Sequence, residues 1–401
     1  MIELARNKNW ILAIIVFAQF CCTSLWFGGN AIMNDLVGQF GLKESALGHL
    51  TSSVQFGFIT GTLIFAILTI ADRFSPSKVF FFCAIIGAHF NLGMMLKGHT
   101  LWTLFGLRFL IGFCLAGIYP VGMKIAADYF DKGLGQSLGL LVGALVLGTA
   151  FPHLLKGISI AIPWKAVLLF ISLLCGLGGT LILLFVSDGP YRKPGAQLDL
   201  SAFFEVFRNR RFRGAAFGYF GHMWELYAFW TFVPVMITTY NELHPAAFSS
   251  VSLLSFLIIG IGGLGCAASG ILTKAYEPKP IAFWTLAASG ICCLLSPLFF
   301  QLNSGPIFIV ILLFWGFMVV ADSPMFSTLV AYNAESKVKG TALTIVNCIG
   351  FAITIISIQL LNILRDIMDP TLIYLFLFIG PLFGLWAMWR NGFRSISEKQ
   401  E

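Results

Sequence analysis

The stretch GFCLAGIYP, Gly112 to Pro120, is matched 204 residues later by GFMVVADSP, Gly316 to Pro324, in which the first glycine and the last proline coincide. The same offset brings three further pairs of residues into register: Trp26 with Trp230, Gly61 with Gly265, and Pro76 with Pro280. Glycine, proline and tryptophan pairs that recur in the same order indicate an internal duplication. We expect two halves, residues 1–186 and 214–401, joined by a linker over residues 187–213.

The composition is typical of an integral membrane protein. Hydrophobic residues make up 58% of the 401 positions and charged residues only 11%, a balance outside the range of soluble domains. A span needs about 20 apolar residues, and only helices or closed barrels satisfy backbone groups in lipid. Because the apolar runs are continuous, the sequence predicts an all-α membrane protein with twelve transmembrane helices. The predicted spans lie near residues 9–30, 46–70, 78–96, 101–126, 134–156, 164–186, 214–239, 248–273, 281–302, 306–331, 341–362 and 371–389.

The positions of lysine and arginine predict the orientation in the membrane. About 19 of these residues fall on the side of the N-terminus and about 5 on the other side, and basic loops stay in the cytoplasm. We therefore expect both termini to be cytoplasmic, the location to be the bacterial cytoplasmic (inner) membrane, and no signal peptide to be cleaved. The net charge of +7 then follows from the topology, and no nucleic-acid partner is expected.

Two motifs resemble those of the major facilitator superfamily. The stretch ADRFSPSKVF, Ala71 to Phe80, is similar to the superfamily's loop between spans 2 and 3, with Asp72 and Arg73 at its acidic and basic positions and Lys78 at its basic end. The stretch RFLIG, Arg108 to Gly112, is similar to the superfamily's span 4 motif. Three more stretches, GHMWELY, VVADSP and GTALTIVNCIGFAI, resemble bacterial members grouped with nitrate, nitrite and cyanate permeases.

The resemblance covers about residues 9 to 390 and implies the major facilitator fold, in which two six-helix bundles are related by pseudo-twofold symmetry. It also implies alternating access and a gating role for the loop that contains Asp72, Arg73 and Lys78. Nitrate porters bind their anion with arginines in spans 2 and 8, and because those spans contain no arginine here, nitrate is not the expected cargo.

Four ionisable residues lie deep within predicted spans, where each costs about 2.5–3.5 kcal/mol on insertion scales and therefore indicates function. They are Arg108 in span 4, His222 and Glu225 in span 7, and Asp322 in span 10. Residues three apart on a helix lie on one face, so we expect His222 and Glu225 to hydrogen-bond or exchange a proton. The hypothesis is that Glu225, assisted by His222, is the proton-coupling site. The alternative is a static pair that holds span 7 to a neighbour.

Asp322 precedes a proline that kinks its helix, and the repeat places Ile118 at the matching position of span 4. We interpret Asp322 as a second titrating or substrate group, or else as a structural partner of Arg108. Because arginine keeps its charge, Arg108 either pairs with a carboxylate or binds an anionic group. Candidate lining residues for an apolar pocket with a few polar groups are Trp26, Asn30, Tyr119, Tyr227, Trp230 and Asn347.

These observations favour a proton-coupled secondary transporter, a monomer that moves a small polar organic solute, zwitterionic or anionic, across the lipid bilayer. A proton antiporter that exports organic cations or drugs is the first alternative, and a membrane transceptor or sensor is the second. An enzyme is not expected, because no nucleophile or metal constellation occurs, and neither a cofactor nor a metal is expected.

Overall fold

In a computed structural model of the chain, the described residues are 8–130, 134–158, 162–192, 206–244, 247–335 and 339–391. All of the regular secondary structure in these ranges is helical, so the predicted all-α architecture is confirmed. The predicted linker lies partly outside the described residues, because positions 193–205 are not among them.

Ten helices precede the linker. They are α1 (Lys8–Thr23), α2 (Gly28–Ala31), α3 (Met33–Phe40), α4 (Ala46–Ile67), α5 (Ile70–Arg73), α6 (Pro76–Gly93), α7 (Leu101–Ala116), α8 (Tyr119–Tyr129), α9 (Leu134–Ile158) and α10 (Trp164–Phe185). The later part of the described chain contains α11 (Arg210–Leu243), α12 (Val251–Leu272), α13 (Pro278–Phe300), α14 (Gly305–Ala321), α15 (Ser323–Asn333), α16 (Lys339–Ile367), a 3₁₀ helix (Ile373–Phe378) and α17 (Ile379–Arg390).

Each predicted span overlaps one or more of these helices. Within the described ranges, nine helices are long and apolar enough to cross a membrane, and Trp10–Thr23 is a shorter apolar helix. Large hydrophobic side chains are exposed along many of these helices, including Trp102, Leu184 and Val310. Such surfaces suit a lipid environment, in which exposed apolar side chains carry no penalty.

Spans 4 and 10 are interrupted at equivalent positions. Helix α7 ends at Ala116 and α8 begins at Tyr119, while α14 ends at Ala321 and α15 begins at Ser323. In both spans the proline of the repeat lies in the first turn of the second helix, where its missing N–H breaks no helical hydrogen bond. Asp322 therefore lies at the break, where the helical backbone is interrupted.

The two halves also repeat a close contact between helices. A Cβ atom at Gly61 would lie 2.7 Å from the carbonyl oxygen of Phe113, and one at Gly265 would lie 2.5 Å from the carbonyl oxygen of Phe317. Only glycine allows the backbones to approach this closely, as in other membrane helix contacts. Since the equivalent residues are 204 positions apart, the sequence repeat is also a repeat of packing.

The chain divides into two compact units. The first comprises Met1–Gly195 and Ser255–Gly260, and the second comprises Ala196–Leu254 and Ile261–Glu401. The buried ionisable residues among those described are divided between them, with Arg108, Asp128 and His153 in the first unit and His222, Glu225 and Asp322 in the second. The boundaries of two six-helix bundles at residues 186 and 214 stay a prediction.

Candidate functional site

The guanidinium of Arg108 is fully buried in the first unit, where it binds the backbone of span 1. Its Nη1 atom donates to the carbonyl oxygen of Leu25 at 3.0 Å, and its Nη2 atom donates to that of Trp26 at 2.5 Å. These carbonyls lie outside regular helix, because α1 ends at Thr23 and α2 begins at Gly28. The break in span 1 thus supplies the acceptors that a buried guanidinium requires.

A polar network extends from Arg108 into spans 1 and 2. The amide of Asn30 accepts from Arg108 Nη2 at 3.5 Å and donates to Thr51 Oγ1 at 2.8 Å, while Trp26 Nε1 donates to Gln55 Oε1 at 3.3 Å. Two buried donors, Arg108 Nε and Gln55 Nε2, have no hydrogen-bond partner within the described part of the chain. The structure thus joins three predicted residues, Arg108, Trp26 and Asn30, in one network.

The charge of Arg108 is balanced by oxygen atoms of neutral groups only. No carboxylate lies within 4.0 Å of its guanidinium among the described residues. A buried charge without a counter-charge is costly unless hydrogen bonds compensate it, and the carbonyl oxygens of Leu25 and Trp26 supply such bonds. The two roles considered for Arg108, pairing with a carboxylate and binding an anionic group, stay predictions.

In the second unit, His222 and Asp322 form a buried pair. Nδ1 of His222 on α11 lies 2.8 Å from Oδ1 of Asp322 at the break between α14 and α15, and both side chains are 0% exposed. The contact has the geometry of an ion pair rather than of a well-directed hydrogen bond. The outer atoms of the pair, His222 Nε2 and Asp322 Oδ2, have no hydrogen-bond partner among the described residues.

Aromatic side chains surround this pair. The ring centroids of Tyr219 and Phe326 lie 6.0 Å and 5.9 Å from that of His222. The hydroxyl of Tyr219 donates to Oδ1 of Asn347 at 3.0 Å, and the space for its ring is left by Gly350. Asn347, a predicted lining residue, is therefore linked to the pair through Tyr219, which the sequence analysis did not select.

Glu225 has hydrogen-bond partners other than His222, so the expected hydrogen bond between these two residues is corrected. Its Oε1 atom accepts from Trp315 Nε1 at 2.6 Å and its Oε2 atom accepts from Ser289 Oγ at 2.9 Å. Residues three apart on a helix differ by about 60° around its axis, and this angle is enough to direct His222 towards Asp322 and Glu225 towards α13 and α14.

The predicted aromatic lining residues differ in their burial and in their ring contacts. Trp26 and Trp230, which the repeat pairs, are both fully buried. The ring of Tyr227 lies 5.1 Å from that of Trp230 and 5.3 Å from that of Phe351. Tyr119 is half-buried at the start of α8, next to the break in span 4.

The predicted gating loop is held within the first unit by charged groups. Asp72 forms a salt bridge of 2.8 Å with Lys124 on α8, and Arg192 donates to the backbone carbonyls of Asp72 and Phe74 at 3.0 Å and 2.8 Å. Neither Lys124 nor Arg192 is singled out by its position in the sequence. Their spacing from Asp72 in the chain gives no signal that they meet it.

The other two residues of this loop are exposed. Nε of Arg73 donates to Thr69 Oγ1 at 3.1 Å, and Lys78 lies on the first turn of α6. Arg192 also binds Asp188, whose carboxylate accepts from the hydroxyl of Ser75 at 2.7 Å. Both ends of the loop are therefore tied to the segment that follows span 6.

Comparisons with known proteins agree with this architecture. A family model described as Major Facilitator Superfamily matches residues 15–358. The protein named probable galactarate/D-glucarate transporter GudP from Escherichia coli is 25% identical over 202 residues, which are 47% of this chain and 43% of that protein. Its namesake from Bacillus subtilis is 26% identical over 141 residues, which are 32% of this chain and 30% of that protein. The chain thus matches less than half the length of these relatives.

A solved structure extends the agreement to the whole fold. The crystal structure of a mutant of the nucleoside transporter NupG aligns with 97% of this chain and 100% of that chain, with a TM-score of 0.72 and 16% sequence identity. At this identity the likeness shows the fold alone. The predicted two-bundle helical membrane fold is confirmed.

The bonds of Glu225 make a prediction for stability. Replacing Trp315 with phenylalanine removes the donor to a buried carboxylate oxygen and should lower the free energy of unfolding by about 1–3 kcal/mol beyond the loss of packing. In a Glu225→Gln background the cost should be smaller. The glutamine amide can donate to Ser289 Oγ, whose single proton is then available for the Leu286 carbonyl 3.1 Å away, and no charge is left unpaired.

The test is denaturant unfolding, in detergent, of the wild type, both single variants and the double variant. It measures how much Trp315→Phe lowers the free energy of unfolding with and without the carboxylate of Glu225. The packing loss of Trp315→Phe is common to both backgrounds and cancels in the double-mutant cycle. Additive effects of the two substitutions would contradict the assignment of a charged hydrogen bond.

Proposed function

Because the chain belongs to the Major Facilitator Superfamily, we propose that it is a proton-coupled secondary transporter that moves a small polar organic solute by alternating access. We place it in the bacterial inner membrane with both termini in the cytoplasm, working as a monomer. The observation that carries the proton coupling is the buried His222–Asp322 pair, whose side chains are 0% exposed.

The charge states of this pair favour a role in coupling. With one shared proton the pair is neutral, either as imidazolium and carboxylate or as imidazole and carboxylic acid, and without that proton it carries a net negative charge. Burying an unbalanced charge in an apolar surrounding costs several kcal/mol. The proton-loaded form is therefore the one that tolerates closure of the site, and the unloaded form requires water or a counter-charge.

The hydrogen bonds favour Asp322 over Glu225 as the group that exchanges the proton. Both carboxylate oxygens of Glu225 already accept, one from an indole N–H that can only donate and one from Ser289. Among the described residues, neither oxygen of Asp322 has a well-directed hydrogen bond, and Oδ1 has only the ion-pair contact with His222. We propose that Asp322 and His222 carry the proton and that Glu225 contributes a second negative charge that influences it.

The distribution of charge supports an anionic or zwitterionic cargo. Arg108 of the first unit is a permanent cation without a carboxylate partner in the described chain, and the repeat places the neutral Leu312 at its equivalent position. A carboxylate of the cargo would supply the missing counter-charge. The names of the two relatives, probable galactarate/D-glucarate transporters, refer to hydroxylated dicarboxylates and support the same class.

We propose that the loop after span 2 gates access through its bond to span 4. Asp72 and Lys124 are each about a quarter exposed and lie 2.8 Å apart, so the bond between them can open when water enters. Arg192 binds the backbone of the same loop and limits how far it moves. Arg73 and Lys78, which are exposed, add positive charge to the loop.

Transport currents test the proposed coupling. Proteoliposomes on a solid-supported membrane are supplied with pools of organic acids, amino acids, sugars or amphiphilic cations at two pH values. We expect an inward current with the acid pool that grows with an inwardly directed proton gradient, and we expect Asp322→Asn to abolish the effect of the gradient while exchange of cargo continues. Glu225→Gln is the matched control with the same loss of one carboxylate, and it should keep a gradient response.

A gradient response that survives in Asp322→Asn and is lost in Glu225→Gln would move the coupling site to Glu225. A current with the cation pool alone, driven by a proton gradient of the opposite direction, would favour the antiporter.

The Asp72–Lys124 bond makes a prediction for the rate of transport. Neutralising Asp72 to asparagine should slow turnover about two- to fivefold, as the loss of up to about 1 kcal/mol from a partly exposed ion pair implies, with little change in KM. The charge swap Asp72→Lys with Lys124→Asp should restore part of the rate. Counterflow in proteoliposomes measures the turnover rate and KM. The control is Lys43→Gln, which removes an exposed charge elsewhere. An unaltered turnover of Asp72→Asn would show that the bond has no part in gating.

A further inference from the structure

Three buried polar side chains of the first unit have atoms without a hydrogen-bond partner. Gln19 lies on α1, and Thr149 and His153 lie on α9. Gln19 and Thr149 are 0% exposed and His153 is 2% exposed. Both amide atoms of Gln19, the hydroxyl of Thr149 and Nε2 of His153 are unpartnered within the described part of the chain. We refer to these three residues as the α1/α9 polar cluster.

Helices α1 and α9 pack side by side and run in the same direction. A Cβ atom at Gly148 of α9 would lie 2.5 Å from the carbonyl oxygen of Phe20 on α1. Further along both spans, Lys156 of α9 forms a salt bridge of 2.9 Å with Asp35 of α3. Contacts that advance together along two spans require a parallel arrangement. The close contact at Gly148 therefore defines which sides of the two helices meet.

The residues of the α1/α9 polar cluster lie on one side of this helix contact. The rings of Phe20 and Phe151, whose centroids are 5.2 Å apart, occupy the other side. Successive residues of an α-helix are about 100° apart around its axis. Thr149 and His153, each two positions from Phe151, are therefore directed away from it, and Gln19 is directed away from Phe20. The rise of about 1.5 Å per residue extends the cluster along the helices.

Helix α8 leaves space for the amide of Gln19 through a glycine. A Cβ atom at Gly122 would collide with Oε1 of Gln19 and would lie 3.4 Å from a ring carbon of Phe80. A larger residue at this position would displace the amide. The amide is therefore held in a defined place, although no group of the described chain bonds to it.

The α1/α9 polar cluster has the chemistry of a site for hydroxyl groups. Buried polar atoms without partners destabilise a folded protein, so these side chains do not serve the fold. An amide offers a donor and an acceptor, and a hydroxyl offers both in one group. A carboxylate only accepts and an ammonium only donates. A hydroxyl group of a bound molecule is the partner that can satisfy either amide atom of Gln19.

The cluster is a neighbour of the Arg108 network along span 1. Gln19 precedes Leu25, whose carbonyl accepts from Arg108, by six residues. Helix α2, which follows the break in span 1, packs against α9. A Cβ atom at Gly29 of α2 would lie 3.2 Å from Nε of Arg108. The cation and the uncharged polar groups therefore belong to adjoining parts of the first unit.

We propose that the α1/α9 polar cluster binds hydroxyl groups of the cargo and thereby selects a polyhydroxylated acid over an acid with an unsubstituted carbon chain. The proposal rests on the proposed transport of an anionic or zwitterionic solute, and it concerns the part of that solute that carries no charge. A site that bonds a hydroxyl group discriminates strongly against an analogue without it, because the polar groups of the site then stay buried and unpaired.

Transport currents with a matched pair of acids test this proposal. Galactarate and adipate have carbon chains of equal length with a carboxylate at each end, and only galactarate carries hydroxyl groups. In proteoliposomes of the wild type, we expect a KM for galactarate at least about tenfold below that for adipate. Gln19→Leu and Thr149→Val should each raise the KM for galactarate about tenfold and change that for adipate less than about twofold, since only hydrogen bonds to hydroxyl groups are lost.

Two further variants separate the site from general effects of substitution. Thr180→Val makes the same change as Thr149→Val at a hydroxyl that donates to the Gly176 carbonyl at 2.7 Å, and it should keep the preference of the wild type. Gly122→Ala keeps every polar group but fills the space of the Gln19 amide, so it should raise the KM for galactarate as Gln19→Leu does.

Thermal unfolding without cargo gives a second readout. Apolar replacements of unpaired buried polar groups are neutral or stabilising, so Gln19→Leu and Thr149→Val should unfold at the temperature of the wild type or above it. Lower transitions in both variants would show that these groups serve the fold and would overturn the proposal.

The transport result separates this proposal from the proposed function. A wild type that carries both acids with equal KM would overturn the hydroxyl site and leave proton-coupled acid transport in place. Variants that lose affinity for galactarate and adipate equally would overturn it in the same way. Absence of any current with either acid would contradict both the hydroxyl site and the proposed acid cargo.

Discussion

Charge that is buried away from water must be balanced by neighbouring groups, and this constraint determines how the polar residues of the chain are arranged. Arg108 is balanced by the carbonyls of Leu25 and Trp26 at a break in span 1. Glu225 is balanced by an indole and a hydroxyl on two other helices, and Asp322 by the imidazole of His222. Among the described residues, the pair of Asp322 and His222 leaves atoms of both partners without hydrogen bonds, and this supports the proposal that the pair changes its protonation during a cycle.

The duplication explains the framework but not the charges. Both halves place a glycine of the second span against the backbone of the fourth, and both interrupt the fourth span before a proline. On this common framework, Ile118 in the first half corresponds to Asp322 in the second, and Arg108 corresponds to Leu312. A carrier of anions with protons requires a permanent cation for the anion and titratable acids for the protons. Here the cation is in one half and the acids are in the other. The two halves therefore differ at the residues that carry the proposed function.

The sequence was sufficient to predict the helices, the kink at Pro324 and the burial of Arg108, His222, Glu225 and Asp322, because hydropathy and proline geometry act locally. It did not predict the partners of those charges. Spacing along α11 suggested a bond between His222 and Glu225, whereas the helices packed around them direct the two side chains apart. Trp315 resembled an ordinary core residue, since nothing in its local sequence shows that its indole meets a carboxylate. Such pairings depend on tertiary packing, and local patterns in a single sequence do not show which side chains the packing brings together.

Infrared difference spectroscopy of the purified protein during a pH titration tests most directly whether the pair of Asp322 and His222 takes up the coupled proton. A carboxylic acid that gains its proton gives a C=O band that the ionised form lacks. We expect the band of one carboxylic acid to appear as the pH falls in the wild type and in Glu225→Gln and to be missing in Asp322→Asn, while the bands of the other carboxylic acids remain. A band that persists in Asp322→Asn and disappears in Glu225→Gln would contradict the account and assign the proton to Glu225.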